Sequence, residues 1–141
     1  MQLTRLIYAS KHDGACDETI DRILQTSRAN NVRWGLTGAL VVSEHHFLQL
    51  LEGDRPAVAE CFKRIMLDKR HHDIHLIISG DVVCRTFRAW SMHRIETSRI
   101  KAQLLARYTR NGAFDPLRMS QVAIEDMCRV LSNGDWDSLA A

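Results

Sequence analysis

The heptapeptide FLQLLEG, residues 47–53, limits the possible folds most, because it places one amide inside an otherwise apolar stretch. Successive residues of a β-strand point to opposite faces, so Phe47, Gln49 and Leu51 share one side of a predicted strand that ends in a turn at Gly53. The apolar neighbours of Gln49 predict that this side is buried. A buried amide is costly unless its oxygen and N–H groups are hydrogen-bonded. A tyrosine or backbone group, or a polar ligand lying on the sheet, would satisfy Gln49.

Composition predicts a single globular domain. The 141 residues are 45% hydrophobic and 26% charged, with a formal net charge of +2. The basic residues are spread along the chain, so direct binding of nucleic acid is not expected. No apolar run approaches the ~20 residues of a membrane span, and the first residues lack the pattern of a signal peptide. We therefore expect a cytoplasmic protein that does not insert in a membrane.

The residues that usually build metal and nucleotide sites are scattered. The four cysteines are Cys16, Cys61, Cys84 and Cys128, and the histidines group as His45-His46 and His71-His72 with His75. No CxxC pair is present, and no carboxylate array accompanies the histidines, so neither a metal site nor a redox dithiol is expected. The sequence also lacks GxGxxG, GxxxxGK[ST], GxSxG and HExxH, and therefore the standard glycine loops and hydrolase motifs.

Hydrophobic periodicity predicts the order strand, helix, strand, strand, helix, strand, strand. The predicted strands are Leu3–Ser10, Ala39–Ser43, Phe47–Gly53, Ile74–Ser79 and Cys84–Ile95. The predicted helices are Asp17–Asn30, ended by Asn30-Asn31, and one with Pro56 in its first turn. Their apolar stripes are Ile20, Ile23, Leu24 and Ser27, and Val58, Cys61, Phe62, Ile65 and Met66. A polar loop, residues 68–73, precedes the fourth strand. This order is typical of an α+β, ferredoxin-like βαββαβ(β) fold, a mixed sheet with two helices on one face.

The last 45 residues form a predicted helical extension rather than a separate domain. Residues 97–108 are predicted to be helical, Asn111-Gly112 breaks the helix, and a second helix covers residues 116–131. Apolar residues of this last helix are Val122, Ile124, Met127, Val130 and Leu131. The extension therefore needs an apolar surface, either the open face of the sheet or a second subunit.

Four separated features have both a structural and a functional interpretation. Taken singly, each feature has a structural interpretation. Tyr8 would be a core tyrosine bonded to Gln49, Asn31 would be a helix cap, and Trp90 and Met92 would be packing residues on one face of the fifth strand. Together, in order and spacing, they form a pattern. Five blocks carry it: LTRLIYAS with Tyr8, SRANNVRWGLTGAL with Ser27, Asn30, Asn31 and Thr37, FLQLLEGDRPAV with Gln49, RIMLDKRHHDI, and RTFRAWSM with Trp90 and Met92.

These blocks resemble the BLUF domain, a small flavin-binding blue-light sensor of bacteria, over nearly 100 residues. The resemblance implies non-covalent FAD with its ring between the two helices, above the sheet. Carboxamides suit the ring edge because each offers a donor and an acceptor. The implied cofactor-binding residues are Tyr8, Ile23, Leu24, Ser27, Asn30, Asn31, Gln49, Phe62, Arg64, Asp68, Arg70 and His71. For Arg70 and His71 a solvated loop is the alternative.

The resemblance also implies a photochemical mechanism. Light drives transfer of an electron and a proton from Tyr8 to FAD, the hydrogen bonds of Gln49 rearrange, and absorption shifts to the red. The signal would pass through the fifth strand, with Trp90 and Met92, to the tail helices. This predicts a sensor over residues 1–96, an output or oligomerisation extension over residues 97–141, and an effector protein that acts in trans. A homodimer or larger assembly is expected, and no enzymatic activity. Two other classes stay open at this point, a flavoenzyme and a cofactor-free ferredoxin-like binding module.

Overall fold

Alternating apolar residues build a five-stranded sheet at the centre of the computed structural model, which describes residues 2–88 and 91–139. The strands are β1 (Leu3–Lys11), β2 (Thr37–Val42), β3 (His46–Asp54), β4 (His72–Asp81) and β5 (His93–Glu96). Their order in the sheet is β4-β1-β3-β2-β5. The β2–β5 pair is parallel and the other three pairs are antiparallel. The predicted α+β, ferredoxin-like mixed sheet is confirmed, and β2 and β3 form an antiparallel hairpin within it.

Two helices, α1 (Asp17–Trp34) and α2 (Arg55–Leu67), cover one face of this sheet. Tyr8 and Gln49 lie directly opposite each other in the β1–β3 pair. The apolar core on this face is formed by Leu6, Tyr8, Ile20, Leu24, Leu36, Leu40, Val42, Phe47, Leu51, Val58 and Met92. Gln49 lies in the same layer and is 4% exposed. The predicted burial of its face is therefore confirmed.

The C-terminal extension covers the opposite face, so the open face of the sheet supplies the apolar surface that it needs. Its helices are α3 (Ala102–Leu105) and α4 (Gln121–Ser132). The core on this face joins strand residues to extension residues: Ile7, Ala9, Ala39, Val41, Leu48, Leu50, Phe87, Ile95, Ile100, Tyr108, Ile124, Met127, Cys128, Leu131 and Trp136. The extension and the sheet thus share one apolar core on this face.

The extension is less regular than predicted. Residues 97–108 form two 3₁₀ turns, Thr97–Arg99 and Ala106–Tyr108, on either side of the short α3, because the backbone is extended at Ile100. The buried Ile100 side chain favours this break over a continuous helix. The predicted 116–131 helix is likewise a 3₁₀ turn, Pro116–Arg118, followed by α4, whose first turn is capped by Ser120.

Two residues of the predicted apolar stripes lie at the surface. Val122 is 75% exposed and Met66 is 50% exposed. Met66 lies near the edge of the apolar stripe of α2, whereas Val122 lies on the opposite side of α4 from Ile124, Met127 and Leu131.

The predicted ends of the first helix and of the third strand were wrong. The first helix continues past Asn30-Asn31 to Trp34 and ends at Gly35, whose φ of 69° only glycine adopts readily. Asn31 therefore lies inside the last turn and is not a cap. Strand β3 also passes through Gly53 to Asp54, so Gly53 is not in a turn. A side chain at Gly53 would meet Leu36, because an added Cβ would lie 2.5 Å from its Cδ2.

The fifth strand was predicted too long. Strand β5 begins at His93, and β4 extends beyond its predicted range in both directions. Instead of pairing with a strand, the Thr86 and Phe87 N–H groups donate to the Glu52 carboxylate at 2.7 and 3.1 Å. Met92 thus precedes the strand rather than lying on it. Trp90 lies outside the described residues, so its predicted position on the same face as Met92 is not described.

Candidate functional site

A cavity of about 540 Å³ lies between α1, α2 and the sheet. Its volume is within the usual range for small-molecule and cofactor sites. Ten of the residues predicted to bind a cofactor line it: Tyr8, Ile23, Ser27, Asn30, Asn31, Gln49, Arg64, Asp68, Arg70 and His71. Leu24 and Phe62 do not line it. Leu24 is buried in the core beside the sheet, and Phe62 packs against the Tyr8 ring with 5.6 Å between ring centroids.

Tyr8 and Gln49 form a buried hydrogen-bonded pair at the floor of the cavity. The Tyr8 hydroxyl donates to Gln49 Oε1 at 2.5 Å, and Gln49 Nε2 donates to Met92 Sδ at 3.3 Å. Burial, followed by the nearby Cys61 and Asp68, raises the pKa of Tyr8 far above its ordinary value of 10.0. The phenol is therefore neutral in the resting protein and holds its proton on the atom that faces Gln49.

Asn31 contributes an unsatisfied acceptor to the cavity wall. Its side chain is fully buried, and its Nδ2 donates to the Ser91 carbonyl. Within residues 2–88 and 91–139, the Asn31 Oδ1 atom is the one buried side-chain polar atom without a hydrogen-bond partner. A buried acceptor left unpaired costs about 1–3 kcal/mol. This position therefore suits a ligand that presents an N–H or O–H group.

Charged and polar side chains lie at the other end of the cavity, in the last turn of α2 and just beyond it. Arg70 binds Asp68 through two parallel bonds, Nε to Oδ1 at 2.9 Å and Nη2 to Oδ2 at 2.6 Å. The Arg70 guanidinium lowers the pKa of Asp68, so this carboxylate stays ionised. Arg64 is exposed and forms no ion pair with any residue that the structure describes. Of the two arginines, Arg64 is the one whose charge is not already matched.

His71 is buried at the same end, and both of its ring nitrogens have partners. Its Nε2 lies 2.7 Å from the Ile65 carbonyl and its Nδ1 lies 2.7 Å from Ser10 Oγ. Because a carbonyl only accepts, Nε2 carries a proton and donates it to the Ile65 carbonyl. His71 therefore fixes the loop after α2 to strand β1 and shapes the cavity wall.

The cavity has further lining residues that the sequence reasoning missed. On α1 these are Thr26 and Trp34, and on α2 and its approach they are Asp54, Pro56, Ala57, Glu60, Cys61 and Ile65. Leu36, Leu40 and Phe47 complete the lining. Helical spacing would have found several of them. Trp34 follows Ile23, Ser27 and Asn30 on one face of α1, but the prediction ended this helix too early.

Other site types find little support in the described part of the chain. No group of three or more His, Cys, Asp or Glu side chains there could hold a metal ion. The four cysteines are free, and only Cys128 is fully buried. Among the described residues, no helix combines the length and apolar character needed to cross a bilayer.

Comparison with known families and proteins gives a consistent result. Residues 3–93 match the model of a family described as sensors of blue-light using FAD. Over 86 residues the chain is 31% identical to the blue light- and temperature-regulated antirepressor BluF of Escherichia coli strain K12. That match covers 60% of this chain and 21% of BluF, so the chain spans about a fifth of the length of this relative.

Solved structures resemble the chain over most of its length. The dark-state structure of the BLUF protein BlrB has a TM-score of 0.79 at 29% identity, covering 94% of this chain and 97% of BlrB. The photo-activated state of BlsA has a TM-score of 0.83 at 24% identity, covering 95% of this chain and 97% of BlsA, a likeness of fold alone. A bacterial light-regulated adenylyl cyclase has a TM-score of 0.67 at 30% identity, covering 93% of this chain and 36% of the cyclase.

Proposed function

The chain belongs to the BLUF family of blue-light sensors that use FAD, and we propose that it is a photoreceptor in which Tyr8 and Gln49 convert light absorption into a rearranged hydrogen-bond network. The family match confirms three predictions from the sequence motifs: the family, the sensory class and the cofactor. Because the family is one of sensors that use FAD, the flavoenzyme and cofactor-free interpretations are no longer needed. The residue roles and the route of the signal are the proposal.

The residues of the cavity fit FAD. The single observation that carries this fit is the unpaired Asn31 Oδ1, because the flavin ring edge presents an N–H donor between two carbonyl acceptors. The apolar lining around Ile23 and Leu40 suits the faces of the ring. Arg64, at the open end, would bind the phosphates, whereas Arg70 is already bound to Asp68. Leu24 and Phe62 would support the site from the core rather than contact the cofactor.

When bound, FAD supplies a ring that absorbs blue light and, once excited, accepts an electron. Tyr8 is the proposed electron donor, since an oxidised phenol loses its proton readily. The proton has an acceptor in place, because the Tyr8 hydroxyl already donates to Gln49 Oε1. Burial of the pair excludes water as a competing acceptor.

Gln49 would then exchange its hydrogen-bond partners, by rotation or by tautomerisation of its amide. Its Nε2 contacts Met92 Sδ in the structure, so a change at either end of the amide alters that contact. A stronger bond from Gln49 to the ring edge would shift absorption to the red. Met92 precedes β5, which leads directly into the extension, and this supports a signal route through residues 91–96 to residues 97–139. Because the dark state returns thermally, light shifts the population of the protein between two states.

The proposed output is through a separate effector protein. Relatives of this family include an antirepressor and a light-regulated cyclase, both longer than the matched region. We propose a sensor over residues 1–96, with the extension acting in output or in assembly of a homodimer or larger oligomer. No direct contact with nucleic acid is part of this proposal, and its setting is the cytoplasm.

Absorption spectra before and after blue light test the proposal. The chain has two tyrosines, one on each side of the sheet, and this provides a matched control. Tyr8→Phe should bind FAD but lose the reversible red shift entirely, because the donor hydroxyl is gone. Tyr108→Phe, which removes a hydroxyl bonded to Asp126 at 2.7 Å in the extension, should keep the shift. A persistent red shift in Tyr8→Phe, or bleaching of the wild type to reduced flavin, would contradict the mechanism.

A further inference from the structure

Two side chains of α1 bind consecutive backbone carbonyls just before β5. Asn31 Nδ2 donates to the Ser91 carbonyl, and Arg28 Nε donates to the Met92 carbonyl at 3.0 Å. Arg28 and Asn31 are three residues apart, so they extend from the same face of the helix. The start of β5 is therefore attached to the helix that forms one wall of the cavity, in addition to its pairing with β2.

Arg28 differs from two other arginines near it, Arg22 and Arg94. On the same helix, Arg22 is bound to Glu18, and on β5 Arg94 is bound to Asp17 and Asp21. In the described part of the chain no carboxylate pairs with Arg28, and its hydrogen bond goes to a backbone carbonyl. A charged donor makes a stronger bond to a carbonyl than a neutral one does. Arg28 is therefore suited to hold backbone rather than to balance charge.

Met92 is held at two points by different parts of the molecule. Its carbonyl accepts from Arg28, and its Sδ accepts from Gln49 Nε2. Under the proposed function, a rearranged Gln49 amide changes the second contact directly, whereas the first changes only if residues 91–96 are displaced. The Arg28 bond then resists displacement of residues 91–96 and favours their return.

From this geometry we propose that Arg28 is a positioning residue, which holds the Met92 backbone in the dark arrangement and thereby sets how long the light-induced state lasts. This inference rests on the proposed function for its light-dependent part only. Its dark-state part, that Arg28 attaches the start of β5 to α1, stands on the hydrogen bond alone. Arg28 does not line the cavity, so it acts through Met92 and not on the cofactor.

The test compares Arg28→Met, which keeps length but removes all donors, with Arg28→Lys, which keeps a charged donor. Arg22→Met on the exposed part of the same helix is the control. In the dark, amide hydrogen exchange of His93–Glu96 should be about fivefold to tenfold faster in Arg28→Met, because opening of β5 no longer breaks that bond. The lysine variant should fall between the wild type and Arg28→Met.

After blue light, the FAD-loaded full chain should show an unchanged red shift in all variants, since Tyr8 and Gln49 are untouched. Recovery in the dark should be roughly fivefold slower in Arg28→Met and partly restored in Arg28→Lys. Exchange and recovery that both stay within about twofold of the wild type, or a faster recovery, would overturn the assignment. A wild type without any red shift would instead refute the proposed function, while the dark exchange measurement still decides whether Arg28 holds β5.

Discussion

The two faces of the sheet are both covered, but one encloses a cavity whereas the other is closed by side chains of the same chain. On the α1–α2 face, Tyr8, Asn31 and Gln49 place polar atoms against a space of about 540 Å³. On the extension side, Ile124, Met127 and Leu131 fill the space over the strands. Strand β3 contributes to both faces through alternate residues.

The buried polar groups of the two faces differ in the same way. Glu52 is fully buried on the extension side of the sheet. Its carboxylate accepts hydrogen bonds from Arg5 Nε at 2.9 Å and from two backbone N–H groups. Asn31, fully buried on the other face, keeps an unpaired acceptor. A completely paired buried polar group is explained by the chain itself, whereas an unpaired one needs a partner from outside the chain, such as a ligand or an ordered water. This difference favours the α1–α2 face as the binding face.

The largest expected effect is on the filled face. Ile124→Ala should lower the free energy of unfolding by about 3 kcal/mol, because Ile124 is fully buried and its truncation leaves a cavity. Val122→Ala, on the exposed side of the same helix, should change it by less than about 0.5 kcal/mol. Urea denaturation of the FAD-loaded protein measures both. Equal effects of the two substitutions would show that α4 does not pack on the sheet in solution.

An intermediate effect is expected on the cavity face. Asn31→Ala should weaken FAD binding by roughly tenfold to a hundredfold, because it removes the acceptor proposed to bind the flavin N–H. Asn133→Ala, an exposed asparagine at the end of α4, is the control and should leave affinity unchanged. Titration of each apoprotein variant with FAD, monitored by flavin fluorescence, gives its dissociation constant. Wild-type affinity in Asn31→Ala would remove the main support for the fit.

The smallest expected effect is on the pH dependence of stability, through a histidine where the sheet meets the extension. His46 lies at the start of β3, and its Nε2 atom is 3.4 Å from Oδ1 of Asp115 in the extension. Burial lowers its pKa below the ordinary 6.5, and Lys11, His45 and His12 lower it further, while Asp115 opposes the shift. The unfolded chain therefore takes up this proton at a higher pH than the folded chain. Stability is lost as pH falls below 6.5 towards the folded pKa.

Comparison of the wild type with His46→Gln isolates this contribution. The free energy of unfolding of the wild type should fall more steeply between pH 7 and pH 5, with a difference of less than about 1 kcal/mol. Urea denaturation at several pH values provides the measurement. Parallel pH profiles would mean that His46 is hydrated in the folded protein, in which case its contact with the extension contributes nothing to the pH dependence.

Local pattern was sufficient for much of the fold and for the candidate site. Alternation along β1 and β3 predicted that the strand faces carrying Tyr8 and Gln49 are buried, because side-chain direction in a strand follows a period of two residues. Helical spacing was less reliable at the ends. Trp34 was missed because Asn30-Asn31 resembled a helix end, although Gly35 supplies the actual one.

Residues 84–88 show where local pattern fails. They belong to the segment predicted to be the fifth strand, yet the Thr86 and Phe87 N–H groups donate to the Glu52 carboxylate, 34 and 35 residues earlier in the chain. Nothing within the segment predicts that partner. Likewise, the paired state of Arg70 and the unmatched charge of Arg64 follow from which side chains meet in space.

The sequence by itself determined the family, the cofactor, the order of strands and helices, and the identity of Tyr8, Asn31 and Gln49 as the residues of interest, because these depend on local periodicity and on motifs. Only the tertiary structure decided that the extension closes the far face of the sheet, that Asn31 holds Ser91 with one end and leaves the other unpaired, and that Arg28 binds Met92. Hydrogen bonds between residues 60 or more positions apart depend on how the helices pack on the sheet, and that packing is a property of the whole chain.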